Sequence, residues 1–241
     1  MDITFSKVCK SFGEKSVIQD ISFVVQSGDM VCLLGSSGSG KTTTIRLMIG
    51  AIAADVGTIK FDDMTVPDLK LLKRIGFMPQ NDAMYDDLSG EDNLKFFAGL
   101  YGMKKKEAHK RIDEVLALVH LSEDRKKFVR HYSGGMKKRL SLAAVLLHEP
   151  DVLLLDEPTV GIDPVLRRSI WNQFNEIKRS GRTIIVSTHV MDEVSECDKA
   201  ALIYDGRLID YDSVPNLLAK TATGKVEELF FQAAEREGGR V

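Results

Sequence analysis

The run Gly35-Ser36-Ser37-Gly38-Ser39-Gly40-Lys41-Thr42 decides the fold. It fits G-x-x-x-x-G-K-[ST], a P-loop that cradles phosphate. Glycines let the backbone curl so that its N–H groups point at phosphate oxygens. Lys41 then reaches the β- and γ-phosphates, and the Thr42 hydroxyl is a ligand for Mg²⁺. An apolar run at 31–34 precedes the loop and a helical pattern at 43–49 follows it. That context predicts strand, loop and helix in succession, with the positive end of the helix aimed at the anion.

Further apolar runs at 75–78, 152–155 and 183–186 read as buried strands. Helical patterns lie between some of them, an alternation that predicts a parallel sheet flanked by helices. The ends of the chain differ. Runs at 3–8, 21–25 and 58–61 read as strands with tight turns, and Asp205-Gly206 between two apolar stretches is a hairpin signal. The predicted fold class is α/β: a P-loop NTPase core of mostly parallel sheet and flanking helices, a small antiparallel β layer, and an inserted helical subdomain.

The helical insertion spans 89–147. Ser89 with Asp92 resembles a capping box. Leu94, Phe97, Ala98 and Tyr101 follow at helical spacing. Ala108, Ile112, Val115, Leu116 and Val119 make a second stripe, and Leu140, Ala143, Ala144 and Leu147 a third, stopped by Pro150. These stripes are core-facing and carry no chemistry. The expected organisation is one domain over 1–241, with 1–88 and 148–220 as the nucleotide-binding core, 89–147 as the helical subdomain and 221–241 as a polar C-terminal tail that frays.

Composition narrows the function. The chain has 241 residues, 44% hydrophobic and 28% charged, with a net charge of −2. That mixture suits a globular protein and excludes disorder and collagen. A protein that wraps nucleic acid is usually basic. Cys9, Cys32 and Cys197 form no CxxC pair, which argues against a zinc site or disulfide frame and fits a reducing compartment. The N-terminus shows no secretory signal, and no apolar run reaches the ~18–20 residues that span a bilayer. A role at a membrane would therefore run through a partner. Basic runs at 104–106, 125–127 and 137–139 read as solvated helix faces.

The run Val152-Leu153-Leu154-Leu155-Asp156-Glu157 is an apolar strand ending in two acids. Beside a P-loop it reads as a Walker B. Asp156 would hold Mg²⁺ and Glu157 would act as general base toward the attacking water. Adjacent carboxylates repel each other, and a divalent cation is their natural counterweight.

Upstream of that strand stands Tyr132-Ser133-Gly134-Gly135-Met136. With the P-loop it resembles the signature motif of ATP-binding cassette (ABC) ATPases. The resemblance extends over nearly the whole chain: Phe12 lies where the family places an adenine-stacking aromatic, Gln80 matches the Q-loop glutamine, Asp163 in Val160-Gly161-Ile162-Asp163 matches the D-loop, and His189 matches the switch histidine. It implies nucleotide binding by Phe12, Gly35, Ser36, Ser37, Gly38, Ser39, Gly40, Lys41, Thr42 and Thr43. It implies catalysis by Glu157, His189 and Gln80, and Mg²⁺ held by Thr42, Gln80 and Asp156. The cofactors are ATP and Mg²⁺. The signature residues Tyr132, Ser133, Gly134, Gly135 and Met136 would act in trans, in a head-to-tail dimer around two Mg-ATP, with Asp163 helping to tie the two faces together.

Two positions depart from the usual LSGGQ signature: Tyr132 replaces its first residue and Met136 its last. The YSGGM signature, with Pro158-Thr159-Val160-Gly161-Ile162-Asp163-Pro164 after the acids, looks like the subset driving ABC-2-type drug and polyketide exporters. The implied protein is an ATPase subunit at the cytoplasmic face of the membrane, a homodimer powering export through an integral membrane permease, with no nucleic acid partner. An importer subunit is one alternative, and Tyr132 and Met136 argue against it. A soluble ABC ATPase acting on nucleic acid or ribosomes is the other; long coiled coils or a second P-loop would mark that class, and the sequence has neither. Tyr85, Phe96, Phe97, Leu100 and Tyr101, just after Gln80, exceed what one helix face buries and suggest a groove for a helix of the membrane subunit.

Overall fold

The computed structural model describes residues 1–81 and 83–236. In chain order the elements are β1 (Ile3–Phe12), β2 (Lys15–Val25), β3 (Met30–Leu34), α1 (Lys41–Met48), β4 (Val56–Phe61), β5 (Met64–Thr65), α2 (Leu69–Leu72), β6 (Ile75–Met78), α3 (Gly90–Leu100), α4 (Lys105–Leu118), α5 (Gly134–Leu146), β7 (Val152–Asp156), α6 (Pro164–Arg179), β8 (Thr183–Thr188), β9 (Lys199–Tyr204), β10 (Arg207–Ser213), α7 (Val214–Ala219) and α8 (Glu227–Arg236). The fold is α/β. The chain forms two compact units, one from residues 1–71 and the stretch from 183 onward, the other from 72–182.

The first unit holds an antiparallel sheet in the order β2-β1-β4-β5. Alternation along β1 buries Ile3, Phe5 and Val8, and Phe5 stacks on Phe23 of β2 at 4.4 Å. The first two strands run further than their apolar cores at 3–8 and 21–25 because they pair with each other up to a turn at Gly13. Gly57 sits against β1 with φ +81°, where an added Cβ would lie 2.2 Å from the Lys7 carbonyl oxygen; only glycine fits there.

In the same unit β3 runs parallel to both β8 and β9. All five of its residues are buried, as expected for a strand covered on both faces. The β9–β10 hairpin turns at Asp205 (φ 43°) and Gly206 (φ 76°), two left-handed residues of the kind a type I′ turn requires. The polar stretch after Thr221 does not fray throughout. Glu227–Arg236 is helix α8, with Leu229, Phe230 and Ala233 buried along one face, an amphipathic pattern that the polar average of the tail conceals. Residues 237–241 of that stretch lie outside the described residues.

In the second unit β6 and β7 pair in parallel. The second and third stripes are buried on α4 and α5, but in the first only Leu94 and Ala98 are buried; Phe97 is half-buried and Tyr101, one residue past the end of α3, is exposed. Ser89 caps α3, its Oγ accepting from Asp92 N–H at 3.1 Å. Residues 140–146 of α5, and Leu147 just after it, are all buried. Gly76 lets this helix approach β6: a Cβ there would lie 2.5 Å from Val145 Cγ1. Among the described residues no helix is long and apolar enough to cross a membrane.

Candidate active site

The phosphate loop belongs to the first unit. Helix α1 begins at Lys41, two residues before the apolar pattern suggests, because Gly40 turns the chain at φ 109°. Lys41 and Thr42 therefore stand in the first turn. Lys41 is buried, and its Nζ donates to the carbonyls of Gly35 at 2.8 Å and Ser36 at 3.0 Å. Ser36, Ser37 and Gly38 are exposed. The Gly35 backbone is so close to Ile203 that a Cβ would lie 2.2 Å from its carbonyl oxygen. Ser39 Oγ is buried with no hydrogen-bond partner, a cost usually offset by a ligand or water. Glycine curvature, exposed backbone at a helix N-terminus, a buried ammonium and an orphaned hydroxyl together fit a nucleotide polyphosphate.

Phe12 and His189 lie in the same unit. Phe12 ends β1 and is 51% exposed, so its ring is available for stacking, and Lys10 Nζ lies 5.5 Å from its centroid. His189 is exposed just beyond β8. The Thr188 hydroxyl before it donates to Glu193 at 2.6 Å and accepts from Val190 N–H at 3.0 Å. These bonds fix the chain on both sides of the histidine.

The acids belong to the second unit. Asp156 ends β7 and is 2% exposed; Glu157 is also buried. Glu157 adopts φ 48°, a left-handed conformation that costs energy for a glutamate and is concentrated at functional sites. The Gln80 carboxamide, two residues past β6, donates to Glu157 Oε2 at 3.0 Å. Asp156 and Gln80 carry hard oxygen donors of the type Mg²⁺ takes.

The signature residues open α5. Ser133 caps the helix, its Oγ accepting from Met136 N–H at 3.2 Å. The helix starts at Gly134 rather than at Met136, so both glycines offer N–H groups in its first turn. Ser133 and Gly134 are exposed, and a Cβ on Gly135 would lie 2.0 Å from Leu166 Cδ2. Tyr132 is accommodated by a glycine: a Cβ on Gly90 would meet its hydroxyl at 2.3 Å. That hydroxyl donates to the Asp124 carbonyl at 2.8 Å, and burial pushes its pKa up to about 12. Tyr132 thus anchors the turn before Ser133. Asp163 caps α6, Oδ1 accepting from Val165 and Leu166 N–H at 3.1 and 3.0 Å.

The basic run at 137–139 is more than a solvated face. Lys138 Nζ donates to the Gln80 carbonyl, Lys137 pairs with Asp86 at 2.6 Å, and Arg139 donates to the carbonyls of Val119 and His120. Arg125 likewise pairs with Glu91 and Asp113. No sequence signal marks these partners, which lie far off along the chain.

With this geometry in view, the likenesses are informative. The ABC transporter family profile matches residues 18–160. Nod factor export ATP-binding protein I of Paraburkholderia xenovorans is 37% identical over 231 residues, which cover 95% of this chain and 76% of that protein. A solved ATP-binding subunit of an ABC transporter aligns with TM-score 0.84 at 26% identity, over 96% of this chain and 99% of its own. A dimeric ATP-binding cassette in a post-hydrolysis state with ADP and Pi aligns at TM-score 0.79, over 88% of this chain and 98% of its own; at 23% identity it speaks to the fold alone. The chain belongs to the ABC transporter family, as an ATP-binding subunit and an ATPase.

Proposed function

We propose that this subunit dimerises head to tail around two Mg-ATP and powers export through a separate membrane subunit. The observation that carries the reading is the exposed Ser133-Gly134 start of α5. A helix N-terminus with a serine hydroxyl and free amides is an anion site. In the proposed dimer it faces the γ-phosphate held by the other copy's phosphate loop, and Asp163 lies at the same junction.

The chemistry follows from the residues. Backbone amides of Gly35 to Gly40 and the Lys41 ammonium hold the phosphates, Phe12 stacks on adenine, and Thr43 continues the anion-facing turn. Thr42, Gln80 and Asp156 would hold Mg²⁺, which when bound neutralises charge on the phosphate oxygens. Glu157 accepts a proton from the water as its oxygen attacks the γ-phosphorus and the bond to the ADP oxygen breaks. Gln80 orients that water, and His189 contacts the γ-phosphate. Separation of the phosphate from ADP removes the link between the two copies.

Export is the direction suggested by the YSGGM signature and by the relative named for Nod factor export. The membrane subunit would dock on the second unit at the cytoplasmic face. Tyr85, Phe96, Leu100 and Tyr101 are all exposed there, while Phe97 is half-buried. Tyr85 packs edge-on to Phe96 at 4.9 Å. Leu100 and Tyr101 also line a cavity of about 750 Å³, together with the apolar Met103 and Leu147 and charged residues such as Lys110, Arg111 and Glu114. An amphipathic helix suits such a surface. The test is a tagged pull-down from detergent-solubilised membranes. Recovery of a membrane-spanning chain is expected; recovery of ribosomes or DNA-bound proteins instead would overturn the transport reading.

A further inference from the structure

We propose that Lys138 is a positioning residue for hydrolysis, fixing the Q-loop so that the Gln80 carboxamide meets Glu157. The inference rests on the catalytic reading of Gln80 and Glu157.

Gln80 leaves the end of β6 through Pro79 into an exposed stretch, and its own side chain is exposed. A free glutamine side chain samples many rotamers, and ordering one costs conformational entropy. Here the backbone beneath it is held. Lys138 Nζ donates to the Gln80 carbonyl, a charge-assisted bond about twice as strong as a neutral one. Lys138 is half-buried, while the bond it makes lies at an exposed position. It also lines a pocket with Gln80, Asn81, Glu157 and Val160.

The neighbouring residue holds the far end of the same loop. Lys137 pairs with Asp86 at 2.6 Å, and the Asp86 carbonyl accepts from Arg130 N–H at 3.0 Å. Consecutive helical residues point about 100° apart, so adjacent lysines on α5 reach the two ends of the loop. The downstream end has this second, backbone anchor, which makes Lys138 the more consequential of the pair. Helix α5 also carries Ser133 and Gly134 at its start. Lys138 stands in the second turn from that clamp, so a shift of α5 on engaging phosphate is transmitted to the Gln80 backbone. The signature helix and the Q-loop then move as one piece.

The test uses the full chain and steady-state MgATP hydrolysis. Lys138→Met is expected to lower kcat about tenfold, the scale of a lost charge-assisted bond, with KM within about twofold. Lys138→Arg, which retains a donor and a charge, is expected to restore most of kcat. In a Gln80→Ala background Lys138→Met should cost nothing further, because the lysine acts through that residue. A merely structural lysine would cost the same factor in both backgrounds, and that result overturns the proposal, as does wild-type kcat in Lys138→Met. Glu157→Gln separates the two readings. If it turns over at the wild-type rate, the catalytic reading falls and this proposal with it. If it is inactive while Lys138→Met is unimpaired, only the role of Lys138 falls.

Discussion

Gln80 and Glu157 meet through a 3.0 Å hydrogen bond from carboxamide to carboxylate, although 76 residues of helical subdomain and strand separate them in the chain. The bond joins the ends of two parallel strands, β6 and β7. One oxygen of the proposed general base is thus occupied by the glutamine proposed to orient the water. The pairing fixes the direction of the carboxylate and ties it to the backbone stretch that carries Gln80.

Lys41→Ala should weaken nucleotide binding itself. The ammonium is buried and donates to the Gly35 and Ser36 carbonyls, so its loss removes a brace of the loop together with the proposed phosphate contact. A charged hydrogen bond contributes about 1.5–3 kcal/mol, which predicts a rise in Kd of roughly tenfold or more, read by titration with a fluorescent ATP analogue. An unchanged Kd would contradict this role for the lysine.

Stability should fall at mildly acidic pH through His148. Its ring stacks on Tyr101 at 4.0 Å, Nε2 contacts the Ile75 carbonyl oxygen at 3.1 Å, and Nδ1 is buried without a partner. Burial holds the imidazole pKa below its ordinary value, opposed in part by the bond to Ile75. The unfolded chain then binds the proton more readily. The stabilisation is present above the unfolded value near 6.5 and is lost as pH falls through the lower folded value. Urea midpoints at pH 7.5 and 5.5 should differ less in His148→Phe than in the wild type; equal differences would refute the assignment.

Phe96→Asp and Leu100→Asp should reduce recovery of the membrane subunit in the pull-down several-fold. Both side chains are exposed, at 40% and 66%, so the fold should survive the substitutions and ATPase activity of the isolated chain should persist. Full assembly of both variants would remove the docking surface from the account.

Much of this architecture is legible in the sequence alone. The Gly35–Thr42 pattern, the acids closing the run at 152–157 and the Asp205-Gly206 turn are local signals, each set by backbone chemistry within a few residues. The α5 stripe was legible for the same reason, since helical periodicity records burial directly. What escaped is non-local. Lys137 and Lys138 look like any basic helix face until Asp86 and Gln80 are brought beside them. Helix α8 was hidden by averaging, because its charged residues mask the spacing of Leu229, Phe230 and Ala233. Tyr132 at the head of the signature became explicable only when Gly90 was seen to leave room for its hydroxyl.

The most direct test of the central claim is Glu157→Gln with MgATP, followed by light scattering and turnover. The account predicts retained ATP binding, a doubling of mass on adding nucleotide, and hydrolysis lowered by about 10²–10⁴ for loss of the general base. A variant that binds ATP but stays monomeric, or that hydrolyses at the wild-type rate, would contradict it.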